Sequence, residues 1–478
     1  MALKGSGDEA DLPVRAGRGI DAGPTRAPMV GCMPSKPRIA AADAAHGVRR
    51  APVFGVEPGG VTVDGPAVMT RLRKERDRFA AATRGAFGDL PAGTCLKGRA
   101  RFAGPTRLEL DTGDVVRARA IVVAAGAYPM VPAPFEALGD LVLTNRTDFE
   151  IADLPRSLAV IGGGAIGLEL AQAMARLGVE TCLFDHAETL DGSEDAEVQA
   201  ALAEILGAEV TTHLGVEVEA ARERDEARSS WSEASAGEAC FERVLVAAGR
   251  PPQLDGLDLA AAGLALDDTG VPAFDPTTLQ CGKTPVFVTG DVNGDRPVLH
   301  EASDEGTRAG RNAAAWPDVT PVARDVPFRL TFTNPPFAVL GAPATADSIV
   351  RTASYADQGR ARVEARAQGL VRLYAAAPDG RLTGAEPFAP GADHMAHLLV
   401  MALSWGETAS SLLDLPICHP TLGEGLKPAL RAICAALPTS ARSRDSDDPP
   451  GRRAGGAGTA CRDGGHAFTT PCDALPGP

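Results

Sequence analysis

The sequence predicts an α/β fold with two Rossmann-like units, followed by an α+β unit. Residues 157–161 form an apolar run that leads into a glycine-rich turn and then into a helical pattern, as in the first strand–turn–helix of such a unit. Residues 120–126 and 244–250 contain two further continuous apolar runs, each ended by a glycine, which is typical of buried parallel strands. Residues 325–437 mix strand and helix patterns, and they predict the separate α+β unit.

The composition excludes several classes of function. The chain has 478 residues, enough for several domains, and its 47 Lys and Arg against 62 Asp and Glu give a formal net charge of -15. This acidic balance argues against a nucleic-acid partner, because phosphate binding needs a basic face. No apolar run approaches the ~18 residues of a membrane span, and the N-terminus has no apolar segment of a secretory signal. We therefore expect neither a membrane partner nor export.

The nine cysteines are scattered and odd in number, and none are paired at the spacing of a dithiol or zinc motif. Such usage indicates a reducing setting, so the predicted localisation is cytoplasmic. We assign no metal ligands. A basic run at residues 71–78 lies in a helical pattern, and a solvated helix face is its simplest interpretation.

The glycine-rich turn carries a dinucleotide fingerprint. Gly162, Gly164 and Gly167 follow the predicted strand and open a helix, and Asp185 ends the next strand. The first glycine permits the tight turn, the second permits close approach of a pyrophosphate, and the third permits close packing of helix and strand. The phosphate would meet the free N–H groups of the helix N-terminus. A carboxylate at Asp185 would bind ribose hydroxyls and repel a 2′-phosphate, so NAD is preferred to NADP. The alternative is a glycine-rich turn in an α/β domain that binds no nucleotide.

Residues 31–36 read Gly-Cys-Met-Pro-Ser-Lys, and this run resembles the redox-active segment of the pyridine nucleotide-disulfide oxidoreductases, closest to the dihydrolipoyl dehydrogenases. Other segments are similar to motifs of the same family, in the same order and spacing. They are Ala-Ala-Gly at 124–126, Ala-Ala-Gly-Arg at 247–250, Thr-Gly-Asp at 289–291, Phe-Thr-Asn-Pro at 332–335 and His-Pro-Thr-Leu-Gly-Glu at 419–424.

The resemblance implies a homodimer that binds FAD and NAD and oxidises a lipoyl-type dithiol. It divides the chain into a first part of the FAD-binding domain at 1–150, an NAD-binding domain at 151–270, a second FAD part at 271–324 and a dimer-interface domain at 325–437. We expect a disordered tail at 438–478, where large apolar residues are few. Residues 1–30 are degenerate and show no apolar strand, so the FAD-binding domain is predicted to be incomplete.

The resemblance also implies the roles of individual residues. Cys32 would be the thiolate that faces the flavin, and Lys36 and Glu169 would form an ion pair beside the flavin and nicotinamide rings. His419 would be the general acid/base for the other subunit's disulfide, and Glu424 would hold its tautomer, since imidazole titrates near neutral pH. Taken alone, these residues have plainer interpretations as an inert thiol, exposed charges and a surface coincidence. The remaining residues assigned to cofactor binding are Ala125, Gly126, Gly249, Arg250, Gly290 and Asp291.

Two departures from the family pattern bear on activity. The position five residues before Cys32 is Ala27, where the family has its second redox cysteine, so no disulfide can form within the segment. Only 31 residues precede Cys32, and they contain no strand–GxGxxG–helix unit to hold the FAD pyrophosphate. In addition, Pro37 is expected to disturb the helix that should begin after the motif.

Three hypotheses follow from these observations. The leading one is a flavoprotein of the dihydrolipoyl dehydrogenase type, with an activity that the two departures would impair. The second is a single-cysteine NADH–flavin reductase, either a diaphorase or an enzyme that uses a Cys32 sulfenic acid. The third is a catalytically inactive, NAD-binding homodimer. Bound FAD would favour the first two, and a colourless dimer that binds NADH would favour the third.

Overall fold

The structure of the chain is a computed structural model that describes residues 2–5, 13–17, 30–88, 90–91, 93–225, 228–233 and 237–438. The predicted tail beyond residue 438 and the position of Ala27 lie outside the described residues. The strands are β1 Ala2–Gly5, β2 Pro13–Gly17, β3 Cys95–Lys97, β4 Ala100–Gly104, β5 Arg107–Leu110, β6 Val115–Val123, β7 Val142–Thr144, β8 Ser157–Ile161, β9 Glu180–Asp185, β10 Thr211–Leu214, β11 Val218–Asp225, β12 Arg228–Glu233, β13 Gly237–Phe241, β14 Arg243–Val246, β15 Val286–Val288, β16 Phe328–Thr331, β17 Phe337–Gly341, β18 Ser348–Ser354, β19 Leu370–Ala376 and β20 Leu382–Phe388. The α-helices are α1 Cys32–Arg50, α2 Gly65–Gly88, α3 Ala133–Glu136, α4 Ala165–Arg176, α5 Ala196–Gly207, α6 Leu299–Ala315, α7 Gly359–Val363, α8 Ala392–Trp405, α9 Ala409–Leu413 and α10 Lys427–Ala436.

The first sheet combines strands from distant parts of the chain. Its order is β3-β2-β1-β6-β5-β4, and β15 also pairs with β6. The β6–β15 pair is parallel, with Ile121 opposite Val286, whereas β1 lies antiparallel to both β6 and β2. The prediction that residues 1–30 hold no strand is therefore wrong for β1 and β2. Sequence pattern misses such strands because the unpaired N–H and C=O groups along β6 can accept any extended segment, whatever its side chains.

The second sheet is the nucleotide-binding type of sheet that the glycine-rich turn predicted. Its order is β10-β9-β8-β14-β7, and the pairs are all parallel. The side chains of Leu158, Val160, Leu183 and Leu245 are fully buried in its core. A separate antiparallel sheet, β11-β12-β13, inserts between β10 and β14 in the chain, and the sequence analysis did not predict it.

The α+β unit is a five-stranded antiparallel sheet in the order β16-β17-β20-β19-β18. Apolar residues of α8 and α10, such as Leu399 and Ile433, pack with Leu373 and Ala385 of the sheet into one fully buried cluster. No helix within the described ranges combines the length and the apolar character that a membrane crossing requires.

Helices α1 and α2 correct two further expectations. Pro37 lies inside α1 without ending it, so the predicted disturbance of this helix is wrong. In the basic run of α2, Arg76 is buried and pairs with Glu150 and Asp77, so this face is only partly solvated. The buried guanidinium of Arg38 in α1 pairs with Asp148, and both side chains are fully buried.

Candidate functional site

The glycine-rich turn between β8 and α4 has the geometry of a phosphate cradle. Gly162 has φ of +110°, and a Cβ there would overlap the carbonyl oxygen of Ala247. A Cβ on Gly167 would overlap the carbonyl oxygen of Gly162, so this glycine lets α4 pack against the strand end. Gly164 differs, because a Cβ there would meet nothing within 4 Å. Gly164 is also the N-cap of α4, so open space lies where the helix presents free N–H groups to an anion.

Asp185 lies at the end of β9, beside this turn. One carboxylate oxygen accepts a hydrogen bond from the backbone N–H of Gly163, and the other accepts one from Ala187 N at 2.9 Å. The next residue, His186, is exposed, with its Nδ1 3.1 Å from Asp185 Oδ1. The backbone bonds fix the carboxylate at the rim of the cradle, where the fingerprint predicts the ribose hydroxyls.

The predicted ion pair between Lys36 and Glu169 forms, and it joins α1 to α4. Lys36 Nζ is 2.7 Å from Glu169 Oε2, and the ammonium lies 4.0 Å from the centre of the Phe332 ring. Glu169 Oε1 accepts a hydrogen bond from Phe332 N at 2.9 Å. Ser35 Oγ donates to the carbonyl oxygen of Cys32 at 3.0 Å, at the start of α1. The exposed Cys32 thiol therefore lies on a helix end held by charge, hydrogen bonding and a cation–π contact.

The loops after β6 and β14 meet, although these strands belong to different sheets. Residues Ala127 and Pro252 form an isolated antiparallel bridge, so the segments with Ala125, Gly126, Gly249 and Arg250 lie together. Arg250 then reaches the third strand-end segment, since its guanidinium donates to Asp291 Oδ2 at 2.9 Å.

The segment that contains Gly290 and Asp291 follows β15. Gly290 has φ of +72°, which the left-handed region allows for glycine. The hydroxyl of Thr289 is buried and has no hydrogen-bond partner among the described residues. A buried hydroxyl without a partner carries a desolvation cost, so this group can accommodate a ligand's hydrogen bond.

His419 and Glu424 lie together on the α+β unit. His419 Nδ1 is 3.0 Å and 3.1 Å from the two carboxylate oxygens of Glu424. The imidazole is 79% exposed, whereas the carboxylate is only 18% exposed. Glu424 therefore anchors one ring nitrogen and leaves Nε2 facing outwards, which is the orientation that a surface acid/base needs.

The site residues predicted from the sequence thus form four groups. The glycine turn and Asp185 form the first, and the Cys32 helix with the Lys36–Glu169 pair forms the second. The strand-end loops form the third, and the His419–Glu424 pair forms the fourth. Sequence reasoning missed Ser35, Phe332 and Thr289. Ser35 lies inside the Gly-Cys-Met-Pro-Ser-Lys run, and Phe332 and Thr289 are the first residues of two of the quoted family motifs. The sequence analysis assigned no role to any of the three side chains.

The chain thus combines a parallel sheet with a glycine turn, a thiol at a helix N-terminus and an exposed His–Glu pair. Residues 20–306 match the family described as pyridine nucleotide-disulphide oxidoreductase, and residues 328–430 match its dimerisation domain. The chain belongs to this family, and it has the corresponding fold of two Rossmann-like domains and an α+β dimerisation domain. The family binds FAD and a nicotinamide nucleotide, and the dimerisation domain points to a homodimer.

The relatives include more than one activity. A dihydrolipoyl dehydrogenase from Thermus scotoductus is 29% identical over 422 residues, which are 84% of this chain and 88% of that protein. A mercuric reductase from Acidithiobacillus ferrooxidans is 30% identical over 424 residues, which are 84% of this chain and 75% of that protein. Among solved structures, LpdA from Mycobacterium tuberculosis has a TM-score of 0.75 at 21% identity, covering 88% of this chain and 94% of LpdA. That structure shows a shared fold.

The residues present fit one half of FAD and not the other. The unpartnered hydroxyl of Thr289, the rim at Asp291 and the exposed Cys32 fit the flavin and ribityl end. At the pyrophosphate end, β1 and β2 form an antiparallel pair, whereas a pyrophosphate cradle of this type needs a strand that leads into a helix and lies parallel to its neighbours. The described residues at this end therefore supply no phosphate anchor of that kind.

Proposed function

We propose that the chain is an NAD-linked dithiol–disulfide oxidoreductase of the dihydrolipoyl dehydrogenase type that works as a homodimer with FAD in a reducing cytoplasm. The ion pair between Lys36 and Glu169 carries this proposal. It connects the helix that begins at the Cys32 thiol to the helix that begins at the glycine cradle. The nucleotide and the thiol are thereby held at two ends of one rigid support.

The residues of the chain bind the reactants and move protons. Asp185 and the glycine turn hold NAD, and Lys36 places a positive charge where electron density accumulates during reduction. Cys32 would hold its thiol beside the flavin, and FAD, when bound, would supply the two-electron acceptor that converts the dithiol to a disulfide and the donor that reduces NAD⁺. In the dimer, His419 would accept a proton from the substrate dithiol, while Glu424 keeps Nε2 available for this transfer.

A single-cysteine NADH–flavin reductase is the second candidate, because Ala27 removes the family's second redox thiol. It would transfer electrons from NADH to a dye or another small acceptor without oxidising a dithiol. The third candidate, a catalytically inactive NAD-binding homodimer, would hold no flavin at all.

The visible spectrum of the purified protein is the first test. Flavin bands that bleach on anaerobic addition of NADH are expected for the proposed enzyme and for the single-cysteine reductase. A colourless protein that still binds NADH would leave only the inactive homodimer. Turnover of dihydrolipoamide then separates the first two candidates.

The acid/base assignment is tested with His419→Gln. We expect dithiol oxidation to fall by about 10²–10⁴-fold, which is the usual contribution of a general acid/base, while NADH-dependent dye reduction is retained. His394→Gln, in the same domain and 91% exposed, is the matched control and should retain both activities. Equal dithiol turnover in the two variants would contradict the role of His419.

Ala27→Cys tests whether the missing thiol limits the reaction. We expect the variant to gain lipoamide turnover, because a second cysteine lets a disulfide form with Cys32 within the segment. A variant that holds flavin and gains no turnover would show that this explanation is wrong.

A further inference from the structure

Strand β16 of the α+β unit reaches the glycine turn through Asp191. This residue lies in the loop between β9 and α5, and its backbone N–H donates to the carbonyl oxygen of Gly163 at 2.8 Å. Its φ of +50° lies in the left-handed region, which few residues other than glycine adopt. Because Gly163 N also donates to Asp185, the turn is fixed from two sides. Asp191 is therefore part of the structure that shapes the turn.

The carboxylate of Asp191 is buried and receives hydrogen bonds from the α+β unit. Arg329 Nη1 donates to Asp191 Oδ1 at 2.6 Å, and Thr331 Oγ1 donates to Oδ2 at 2.6 Å. Burial raises the pKa of this carboxyl, and the charge of Arg329 and the hydrogen bond of Thr331 oppose the rise. The negative charge of Glu169 adds to the rise, whereas a hydrogen bond from the backbone N–H of Ala165 opposes it.

The bond from Ala165 places the charge of Asp191 at the start of α4, since Ala165 is the first residue of this helix. A pyrophosphate is drawn to a helix N-terminus by the free N–H groups and the dipole. A carboxylate without a compensating cation at the same place would repel it. The charge of Asp191 therefore bears directly on the affinity of the turn for a dinucleotide.

The cations that compensate the carboxylates near this turn come from outside the NAD-type unit. Arg329 on β16 pairs with Asp191, and Lys36 on α1 pairs with Glu169. The Arg329 guanidinium also donates to the carbonyl oxygen of Asp191 at 2.6 Å, so it contacts this residue at both its backbone and its side chain. The α+β unit thus supplies a positive charge that the turn needs.

We propose that Arg329 of the α+β unit raises the affinity of the glycine turn for NADH by neutralising the Asp191 carboxylate. Arg329 is a positioning residue, because it acts through Asp191 rather than on the nucleotide itself. The inference rests on the proposed function in one respect, namely that NADH binds at the glycine turn. It adds that the unit expected to join the subunits also contributes to the nucleotide affinity.

Arg372 on β19 provides a matched control. Its Nε is 2.8 Å from Asp195 Oδ2, so it forms an ion pair between the same two units. Asp195 caps α5, so this ion pair acts on a different helix end. The Arg372 side chain is 14% exposed and that of Arg329 is 35% exposed, so loss of Arg372 should destabilise the fold at least as much.

The test is the dissociation constant of NADH, measured by titration calorimetry on the purified full-length protein. We expect Arg329→Gln to weaken NADH binding by about fivefold or more, because coupling between two parts of a protein is typically about 5–150-fold. Arg372→Gln should retain the wild-type dissociation constant. Circular dichroism checks that each variant is folded.

A second substitution at Asp191 separates charge compensation from simple mechanical support. Asp191→Asn removes the charge and keeps an oxygen that accepts a hydrogen bond. In Arg329→Gln/Asp191→Asn we therefore expect tighter NADH binding than in Arg329→Gln alone. If Arg329 only held the two units together, the second substitution would weaken their contact further and NADH binding would fall again.

The single variant Asp191→Asn carries the test if Arg329→Gln does not fold. It leaves the positive charge of Arg329 beside the turn and removes the buried carboxylate. NADH should then bind at least as tightly as it does to the wild-type protein, and weaker binding would contradict the inference.

Three further outcomes would overturn the inference while leaving the proposed function in place. They are wild-type NADH affinity in Arg329→Gln, an equal loss of affinity in Arg372→Gln, and a double variant that binds NADH no more tightly than Arg329→Gln. A wild-type protein that binds no NADH would overturn the inference together with the proposed function. The visible spectrum and the dithiol assay test the proposed function independently.

Discussion

At the scale of single residues, Asp185 is the carboxylate that we expect to determine the preference for NADH over NADPH. We expect Asp185→Asn to weaken NADH binding by about tenfold or more, since a hydrogen bond to a charged group contributes about 1.5–3 kcal/mol. The asparagine oxygen can still accept the N–H of Gly163, so the turn itself should survive. The preference for NADH over NADPH should shrink.

Calorimetric titration of both nucleotides measures this change. His186→Gln is the matched control, because this neighbouring side chain is 86% exposed. A wild-type protein that binds NADPH more tightly than NADH would contradict the role assigned to Asp185.

The buried pair of Arg38 and Asp148 has a different consequence, because neither side chain touches solvent. Burial raises the pKa of the Asp148 carboxyl, and the charge and hydrogen bond of Arg38 oppose that rise. Arg38→Met leaves the carboxylate buried without its partner, so we expect a loss of about 3–5 kcal/mol in the free energy of unfolding. Urea unfolding monitored by circular dichroism measures the loss.

The same variant should show a characteristic pH dependence. Without Arg38, the pKa of Asp148 in the folded state lies further above its unfolded value, so the folded state binds more protons. Stability from such a group is present at low pH and is lost as the pH rises through the folded pKa. The variant should therefore regain stability on acidification from neutral pH. The double variant Arg38→Met/Asp148→Asn should lack this dependence, and an equal slope in both would contradict the explanation.

At the scale of elements, the N-cap residue of α5 both begins the helix and joins it to strand β19. Asp195 accepts hydrogen bonds from Glu197 N at 3.0 Å and Val198 N at 3.2 Å, and its other oxygen accepts one from Arg372 at 2.8 Å. Asp195→Ala removes both functions, whereas Asp195→Asn retains the cap and loses the charge. We expect the alanine variant to be less stable than the asparagine variant by about 1 kcal/mol, the usual value of a cap. Equal midpoints in thermal unfolding would show that the cap contributes nothing.

Strands and helices were predicted well wherever apolar residues follow the spacing of a strand or a helix. The strand, turn and helix around residues 157–176 form as expected, because core packing and the fingerprint favour the same structure. Prediction from the sequence failed where a segment's structure depends on the strand or helix that it contacts rather than on its own apolar pattern. Strand β1 forms against β6, and β2 forms between β1 and β3. Helix α1 continues through Pro37 while burying Arg38 and Ala42 on its packed side. Neither effect is visible in a local window of sequence.

The candidate site was predictable to a similar extent. The Lys36–Glu169 and His419–Glu424 contacts form as the resemblance implied, although their cofactor and substrate roles stay predictions. The contact of Phe332 with both charges of the first pair could not be predicted, because the motif that contains Phe332 assigns no role to this side chain. The contact depends on how the interface domain packs against α1 and α4.

At the scale of the whole molecule, Arg176 joins three parts of the structure. Its guanidinium binds Glu209 on the NAD-type unit, Asp43 on α1 and the carbonyl oxygen of Asn334 at the start of the interface domain. The Arg176 side chain is 4% exposed but the Asp43 carboxylate is 42% exposed, so the bonds are only partly shielded from water. Together with the ion pair between α1 and α4, they tie the thiol helix and the nucleotide cradle to the interface domain.

Dimerisation should be visible in thermal stability. Because the folded subunits associate and the unfolded chains do not, the midpoint of thermal unfolding should rise with protein concentration. Differential scanning fluorimetry over an approximately hundredfold concentration range measures this shift, with light scattering to give the mass. A midpoint that stays constant, together with the mass of a single chain, would contradict the homodimer.

The glycine turn separates what the fold requires from what a ligand requires. A side chain at Gly162 or Gly167 would collide with the protein's own backbone, so any sequence that keeps this strand and helix must keep these two glycines. A side chain at Gly164 would meet only open space, so folding alone exerts no selection there. A substitution at Gly164 would therefore leave the strand and helix intact and obstruct only a bound dinucleotide, so this one position tells the two requirements apart.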